Sequence, residues 1–297
     1  MIYPEHLQIE TVAGICSAKC IMCPIDTSPR KKIMSDSFFF KIIDAYKDIK
    51  QHLEFTTLHG LGEPLLDKNI ANKVRYAKQN GFPSVGFATN ATHLTQEIGR
   101  HLLEAQLDTI IFSIDGINKE THEAIRINVN FEHVIKNVLD FIQLRNKMGK
   151  TKIIIRMIKQ DLNKDQWDKY FSYWGNKLNS NFGDQVSNFD VHNWGGKDFN
   201  LAKELKELSS RTVIKCTDLY ERMFIYVNGE VGLCCGDDKG WFNHGNVLEE
   251  SPLEIYNRGI FKKYRLAMEE GNISNLEHCN NCSIIFSRVD KKYCNIK

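Results

Sequence analysis

The sequence predicts an α/β protein: a partial (β/α)6 barrel of the TIM type, followed by a small C-terminal unit of β-hairpin plus helix. Three observations predict it. From Leu7 to about Val191, short β-branched or apolar runs alternate with longer amphipathic ones, the pattern of repeated strand–helix units that build a parallel sheet. After Trp194-Gly195-Gly196 the alternation stops, and two short apolar runs flank Asn228-Gly229, a favoured hairpin turn. Six of the nine cysteines fall in this later part, which marks it as a unit with chemistry of its own.

In chain order, the barrel strands are expected at 7–12, 54–59, 84–88, 109–114, 152–158 and 187–191. Helices are expected near 36–50, 68–80, 95–106, 119–147 and 164–179, with Ser35 and Thr95 placed to accept hydrogen bonds from the first free amides of two of them. The C-terminal unit reads as a helix near 201–209, strands at 223–227 and 231–234, and a helix near 253–270. The division is therefore 1–199 for the barrel and 200–297 for the smaller domain. In such barrels the functional residues sit at the C-terminal ends of the strands.

With 297 residues, 42% of them hydrophobic, the chain can bury a full core. Thirty-nine basic residues against thirty-seven acidic ones give a net charge of +2 without a long single-sign run, so nothing calls for nucleic acid. The N-terminus, MIYPEHLQIETV, lacks the basic and apolar regions of a secretory signal, and no stretch approaches eighteen apolar residues. The expectation is a cytoplasmic protein with no membrane partner. Nine cysteines, an odd number, then favour metal or redox chemistry over a disulfide framework.

Cys16, Cys20 and Cys23 follow the first expected strand, so three thiolates converge from one loop. On a cubane cluster three cysteines leave one iron open to a further ligand; a structural zinc site or simply buried cysteines are the alternatives that spacing leaves open. The pattern Cys-x-x-x-Cys-x-hydrophobic-Cys resembles the signature of radical S-adenosylmethionine (SAM) enzymes. That resemblance implies a [4Fe–4S] cluster whose open iron binds the amino and carboxylate groups of SAM, with Met22 near the adenine. Leu58-His59-Gly60-Leu61-Gly62-Glu63-Pro64 resembles the family's Gly-Glu-Pro segment. Gly60 and Gly62 would let the backbone approach the ligand, and Glu63 or the backbone beside it would meet the SAM ammonium. Asn90 and Ser113 are candidates for the SAM ribose or carboxylate, and Asp115 is either a further contact or a plain turn residue. Arg126 and Arg156 match arginines frequent in the family, Arg156 being the one expected at the SAM carboxylate; an ordinary surface ion pair is the alternative for both.

Cys216, Cys234, Cys279 and Cys282 supply four thiolates from separate loops of the C-terminal unit, enough for a complete cluster or for zinc. Cys235 can replace Cys234, because adjacent residues of a strand point to opposite faces; Cys294 reads as a free thiol. The layout resembles the shortened SPASM or "Twitch" domain of radical SAM enzymes, implying a second, auxiliary [4Fe–4S] cluster.

The resemblance implies reductive cleavage of SAM to a 5′-deoxyadenosyl radical that takes hydrogen from a small-molecule substrate, with a flavodoxin or ferredoxin as electron donor. The cysteine spacing looks most like that of Twitch-type aminocyclitol dehydrogenases, so the first reading is oxidation of a hydroxyl on a sugar, cyclitol or similar metabolite. A peptide maturase that cross-links or epimerises its target is the second, and a non-catalytic iron–sulfur or zinc protein the third. His192, Trp194, Asp237 and Asp238 are the substrate-side candidates, His192 and the two aspartates as catalytic groups and one aspartate as general base. Solvated turn acids are the alternative for Asp237 and Asp238.

Overall fold

The computed structural model describes residues 1–194, 215–242 and 244–285. Gly195-Gly196, the helix expected near 201–209, the boundary at 199 and Cys294 lie outside the described residues. The strands are β1 (His6–Ile9), β2 (Val12–Ala13), β3 (Lys19–Cys20), β4 (Lys32–Ile33), β5 (Phe55–Thr57), β6 (Val85–Thr89), β7 (Thr109–Ser113), β8 (Arg126–Ile127), β9 (Lys152–Lys159), β10 (Gln185–Asp190), β11 (Arg222–Ile225) and β12 (Val231–Gly232). Eight of them form one sheet in the order β10-β9-β7-β6-β5-β1-β11-β12, and every neighbouring pair is parallel except β11 with β12. From β1 to β10 the strands follow chain order with helices between them, which is the expected partial barrel.

The hairpin is not a sheet of its own. Strand β11 lies parallel beside β1, with His6 opposite Arg222 and Ile9 opposite Ile225. Leu7, Ile9, Met223 and Ile225 are all fully buried, so the apolar face of β1 continues into the hairpin and the edge of β1 is covered. A single apolar cluster accordingly runs from Leu7 to Ile285.

The helices are α1 (Asp36–Ala45), α2 (Ile70–Gln79), α3 (Gln96–Glu104), α4 (Lys119–Ile125), α5 (Phe131–Met148), α6 (Trp167–Gly175), α7 (Thr217–Glu221), α8 (Pro252–Asn257) and α9 (Gly259–Glu269). Ser35 accepts from the amide of Phe38 and Thr95 from that of Ile98. Helix α1 seats Phe39, Ile42 and Ile43 with no exposure, each contributing roughly 1.5–3 kcal/mol. Two expected helices are each broken in two. The span 119–147 is interrupted by β8 and by Asn128 at φ +68°, after which the Asn130 side chain accepts from His133 N at 2.8 Å and starts α5. The span 253–270 breaks at Gly259, whose φ of +53° suits a residue without a Cβ. Apolar periodicity runs through both breaks, which is why the sequence pattern hides them. Among the described residues no helix is long and apolar enough to cross a membrane.

Candidate active site

The loop after β1 is built to hold three thiols still. Gly14 turns it at φ +61°, where a Cβ would lie 2.1 Å from the Arg30 carbonyl. Cys20 sits on β3, paired with Arg126 of β8, so the break that ends α4 also delivers a guanidinium to the loop. Arg126 Nη1 donates to Cys20 Sγ at 3.4 Å, Asn90 Nδ2 to Cys16 Sγ at 3.5 Å, and Ala18 N to the same sulfur at 3.3 Å. Burial pushes the Cys16 thiol up to about 11 and Cys23 up to about 12, and raises Cys20 as well, against the pull of Arg126. Thiols so placed become thiolates when a metal binds them. Three soft donors, met by N–H groups aimed at their sulfurs, fit an iron–sulfur cluster. Among the described residues no three His, Cys, Asp or Glu side chains close tightly around a single ion; a cubane takes each thiolate on a separate iron.

These cysteines line a cavity of about 760 Å³. Met22, Gly60, Gly62, Glu63, Asn90, Ser113, Arg126 and Arg156 also line it, so eight of the nine residues expected around SAM share one space with the cysteines. Asp115 does not. It is fully buried behind the wall, its Oδ2 2.8 Å from Arg126 Nη2 and its Oδ1 accepting from Ile158 N at 2.7 Å; it positions Arg126. The glycines serve the fold directly: a Cβ on Gly60 would meet Glu10 Cγ at 2.5 Å, and one on Gly62 the Val12 carbonyl at 2.3 Å. The Glu63 carboxylate already accepts from Leu65 N, Asn90 N and Thr89 Oγ1, the last at 2.6 Å. It clasps the ends of β5 and β6 together, and burial raises its carboxyl above the usual range.

The C-terminal unit lines the same cavity through Thr217, Arg222, Tyr226, Cys235 and Asp237. Cys216, just before α7, Cys234, just after β12, and the Cys279–Cys282 turn converge. The like-charged neighbours that raise the Cys279 thiol include Cys216 and Cys282, and those of Cys234 include Cys279 and Cys282, in each case after burial. Cys235 lines the cavity, where Arg222 Nη1 donates to its sulfur at 3.5 Å, and it is also among the neighbours that raise the Cys234 and Cys282 thiols, so both adjacent cysteines stand at this cluster. Asp237, Asp238 and His192 line the same cavity. Asp237 is 1% exposed; its Oδ1 accepts from Trp241 N at 2.8 Å, and its Oδ2 is buried without a hydrogen-bond partner among the described residues. Asp238 is engaged, accepting from Thr27 Oγ1 at 2.9 Å. Trp194, at φ +52°, donates its indole N–H to the Met22 carbonyl at 2.9 Å and so braces the cysteine loop.

Residues 11–167, more than half of the chain, match the Radical SAM superfamily. The chain belongs to the radical SAM superfamily. A second match, to the SPASM iron-sulfur cluster-binding domain, covers residues 216–283 and so begins on Cys216 and includes Cys282. This radical SAM enzyme therefore carries a [4Fe–4S] cluster with SAM in the barrel and an auxiliary iron–sulfur site in the C-terminal unit. Curated relatives include a tungsten-containing aldehyde ferredoxin oxidoreductase cofactor-modifying protein of Pyrococcus furiosus, 30% identical over 37% of this chain and 31% of that one. A GTP 3′,8-cyclase of Desulforamulus reducens is 28% identical over 47% of this chain and 43% of that one. The chain thus spans less than half the length of these two relatives. Among solved structures, BtrN in complex with AdoMet and 2-DOIA aligns over 94% of this chain and 93% of its own at TM-score 0.64 and 17% identity. Streptococcus suis SuiB bound to precursor peptide SuiA aligns over 96% and 71% at TM-score 0.69 and 16% identity. At these identities the likeness is one of fold.

Several wall residues of this radical SAM enzyme carry no motif and escape a sequence reading. Glu10 is 1% exposed, accepts from Leu61 N at 3.1 Å, and pairs with Arg30 Nε at 3.5 Å. Arg30 lies 3.7 Å over the Tyr226 ring, and Tyr226 donates its hydroxyl to the Asp237 carbonyl at 2.5 Å. These contacts lock the cysteine loop to the hairpin. The one available signal is Gln8 and Glu10, polar residues alternating with buried Leu7 and Ile9 in a strand that otherwise reads as core.

Proposed function

We propose that this enzyme oxidises a hydroxyl-bearing carbon of a polar small molecule, such as a sugar or cyclitol, by two electrons. The observation that carries the reading is Asp237 Oδ2: a buried acceptor without a hydrogen-bond partner among the described residues, belonging to a residue that lines the same cavity as Cys16, Cys20 and Cys23. When bound, the barrel cluster and SAM supply a radical that abstracts hydrogen. The residues of the chain then have distinct tasks. Asn90, Ser113 and Arg156 hold SAM, with Met22 near its adenine, and the backbone around Glu63 meets the SAM ammonium. Asp237 accepts the substrate hydroxyl as a hydrogen-bond donor and takes its proton. His192 and Asp238 flank it, Asp238 already tied to Thr27. Cys216, Cys234, Cys279 and Cys282 hold the auxiliary cluster, which receives the remaining electron; Cys235, beside Cys234 in sequence, lines the cavity. Hydrogen atom, proton and electron together make the two-electron oxidation of an alcohol to a carbonyl. The reducing electron for the barrel cluster comes in this reading from a flavodoxin or ferredoxin.

The test is a panel of deuterated polyols, cyclitols and sugars with anaerobically reconstituted protein, SAM and a low-potential reductant. The expected result is deuterium in 5′-deoxyadenosine and one trapped carbonyl per SAM cleaved, with Asp237→Asn slower by about 10²-fold or more. SAM cleavage without a carbonyl product from any member, or a full-rate Asp237→Asn, overturns the reading.

A further inference from the structure

The cysteines of the C-terminal unit have a carboxylate among them. Asp218 lies in the first turn of α7, two residues after Cys216, and is 2% exposed. Its Oδ2 accepts from Cys235 Sγ at 3.6 Å, and its Oδ1 lies 3.2 Å from Arg222 Nε. As one half of that ion pair it is an anion. Its charge also reaches the neighbouring sulfurs. After burial and the other thiols, Asp218 is the next group that raises Cys234 and Cys279. At Cys282 burial raises the thiol, the amides of Ile284 and Ile285 pull it down, and Asp218 is the first charge that raises it. Three of the four candidate ligands, and Cys235 beside them, therefore feel one buried anion.

Arg222 is the counter-charge, and it is held in place. Its Nη1 donates to Gln8 Oε1 at 2.9 Å and to Cys235 Sγ at 3.5 Å, and Gln8 Nε2 donates in turn to the His59 carbonyl at 2.9 Å. Reduction adds one negative charge to a cluster that four thiolates already make anionic. A buried anion beside the sulfurs opposes that charge with little screening by solvent, and a cation paired with the anion offsets part of the opposition. The two side chains therefore act on the same equilibrium with opposite signs.

We propose that Asp218 holds the reduction potential of the auxiliary cluster low, so that the cluster stays oxidised under the reductant that serves the barrel cluster and remains able to take an electron from the substrate. The use made of that potential rests on the two-electron reading above. In that reading the substrate carbon loses a hydrogen atom to the 5′-deoxyadenosyl radical and keeps one unpaired electron. Asp237 takes the hydroxyl proton, and the electron leaves for the auxiliary cluster as the carbonyl forms. A carbon radical bearing an alkoxide oxygen is a strong reductant, so a low cluster potential does not stop the transfer. A cluster already reduced by the external donor would stop it. The carboxylate thus guards the oxidised state, and Arg222 limits how far it does so.

The potential is read by electron paramagnetic resonance during a redox titration of the reconstituted full-length chain carrying Cys16→Ala/Cys20→Ala/Cys23→Ala, in which the auxiliary cluster gives the signal. Asp218→Asn is expected to raise the reduced-to-oxidised ratio at a fixed potential by about tenfold or more, a shift of about 59 mV for one electron. Arg222→Gln is expected to lower the ratio by about threefold or more. The double variant should return to within about threefold of the parent. Iron and sulfide content check that each variant is assembled, and if one single variant loses its iron the sign of the shift in the other decides. Midpoints that do not move, or that move in the same direction in both single variants, overturn the proposal. Zinc in the site, or loss of iron from both single variants, also overturns it and leaves the pair a structural role. The titration needs neither SAM nor substrate. A missing carbonyl product therefore defeats the dehydrogenase reading and leaves the effect of Asp218 on the potential standing.

Discussion

The two cysteine sites are assembled in opposite ways. In the barrel, Cys16, Cys20 and Cys23 come from eight consecutive residues, and neighbouring groups aim Ala18 N, Asn90 Nδ2 and Arg126 Nη1 at two of the sulfurs. In the C-terminal unit, the four candidate ligands are spread over residues 216–282, and helix α7, the hairpin and the last turn must pack before they meet. The first site is local and sits on a barrel that exists without it. The second is non-local, so its geometry depends on the packing of the whole unit, and ligand loss there is coupled to folding.

The largest test of that difference removes each set in turn. Cys16→Ala/Cys20→Ala/Cys23→Ala should abolish SAM cleavage while leaving the fold intact by circular dichroism, with iron falling from about eight per chain to about four. Zinc in place of the retained iron would remove the electron-accepting role of the second site. Cys234→Ala should lose the auxiliary iron and lower the melting temperature, yet still cleave SAM. Cys235→Ala should keep all its iron; loss of iron in that variant instead would reverse the assignment of these adjacent cysteines.

A smaller effect sharpens the same contrast without touching a cysteine. Arg265 of α9 is 4% exposed, donates to the Leu219 and Tyr256 carbonyls at 2.7 Å each, and lies 4.2 Å over the Tyr256 ring. It joins α7, α8 and α9 at one point. Arg265→Met should cost about 2–4 kcal/mol by removing these bonds and leaving buried carbonyls unpaired. The loss should appear as auxiliary iron released at lower denaturant, while SAM binding in the barrel follows a separate, later transition. A single transition for both would mean that the sheet continuity through β1 and β11 couples the two sites fully.

That contrast also decides what the sequence could reveal. The barrel cysteines, Gly60, Gly62, Glu63, Asn90 and Ser113, singled out in the sequence by their resemblance to family motifs, line one cavity, and the alternation from Leu7 to Val191 marks the six strands within a few residues. For Asp115 the sequence leaves a ligand contact and a turn residue both open, because a strand-end acid reads the same whether it faces a ligand or pairs, as here, with an arginine. The split at Arg126–Ile127 was hidden because apolar periodicity continues through it; only the pairing of β8 with β3, a contact across more than a hundred residues, makes the break favourable. The same holds for β11 beside β1. Long-range pairing brought Arg222, Gln8 and Arg30 to the cavity, and no spacing rule encodes it.

The smallest expected effect concerns a histidine that belongs to the barrel half alone. His122 of α4 is fully buried, its Nδ1 accepts from Asp115 N at 3.2 Å, and burial followed by the nearby Arg126 pushes it down to about 3. The unfolded chain binds a proton at this position near pH 6.5, and the folded chain does so only near pH 3. Between those values the unfolded state holds more protons, so stability rises with pH. The contribution is complete above about pH 6.5 and is lost as pH falls towards 3, by about 1.4 kcal/mol per unit. Urea melts at pH 7, 6 and 5 should show this slope, and His122→Gln should flatten it by that amount. If the slope persists in the variant, other groups set it, and the Asp115–Arg126 clasp behind the cysteine loop does not depend on a neutral His122.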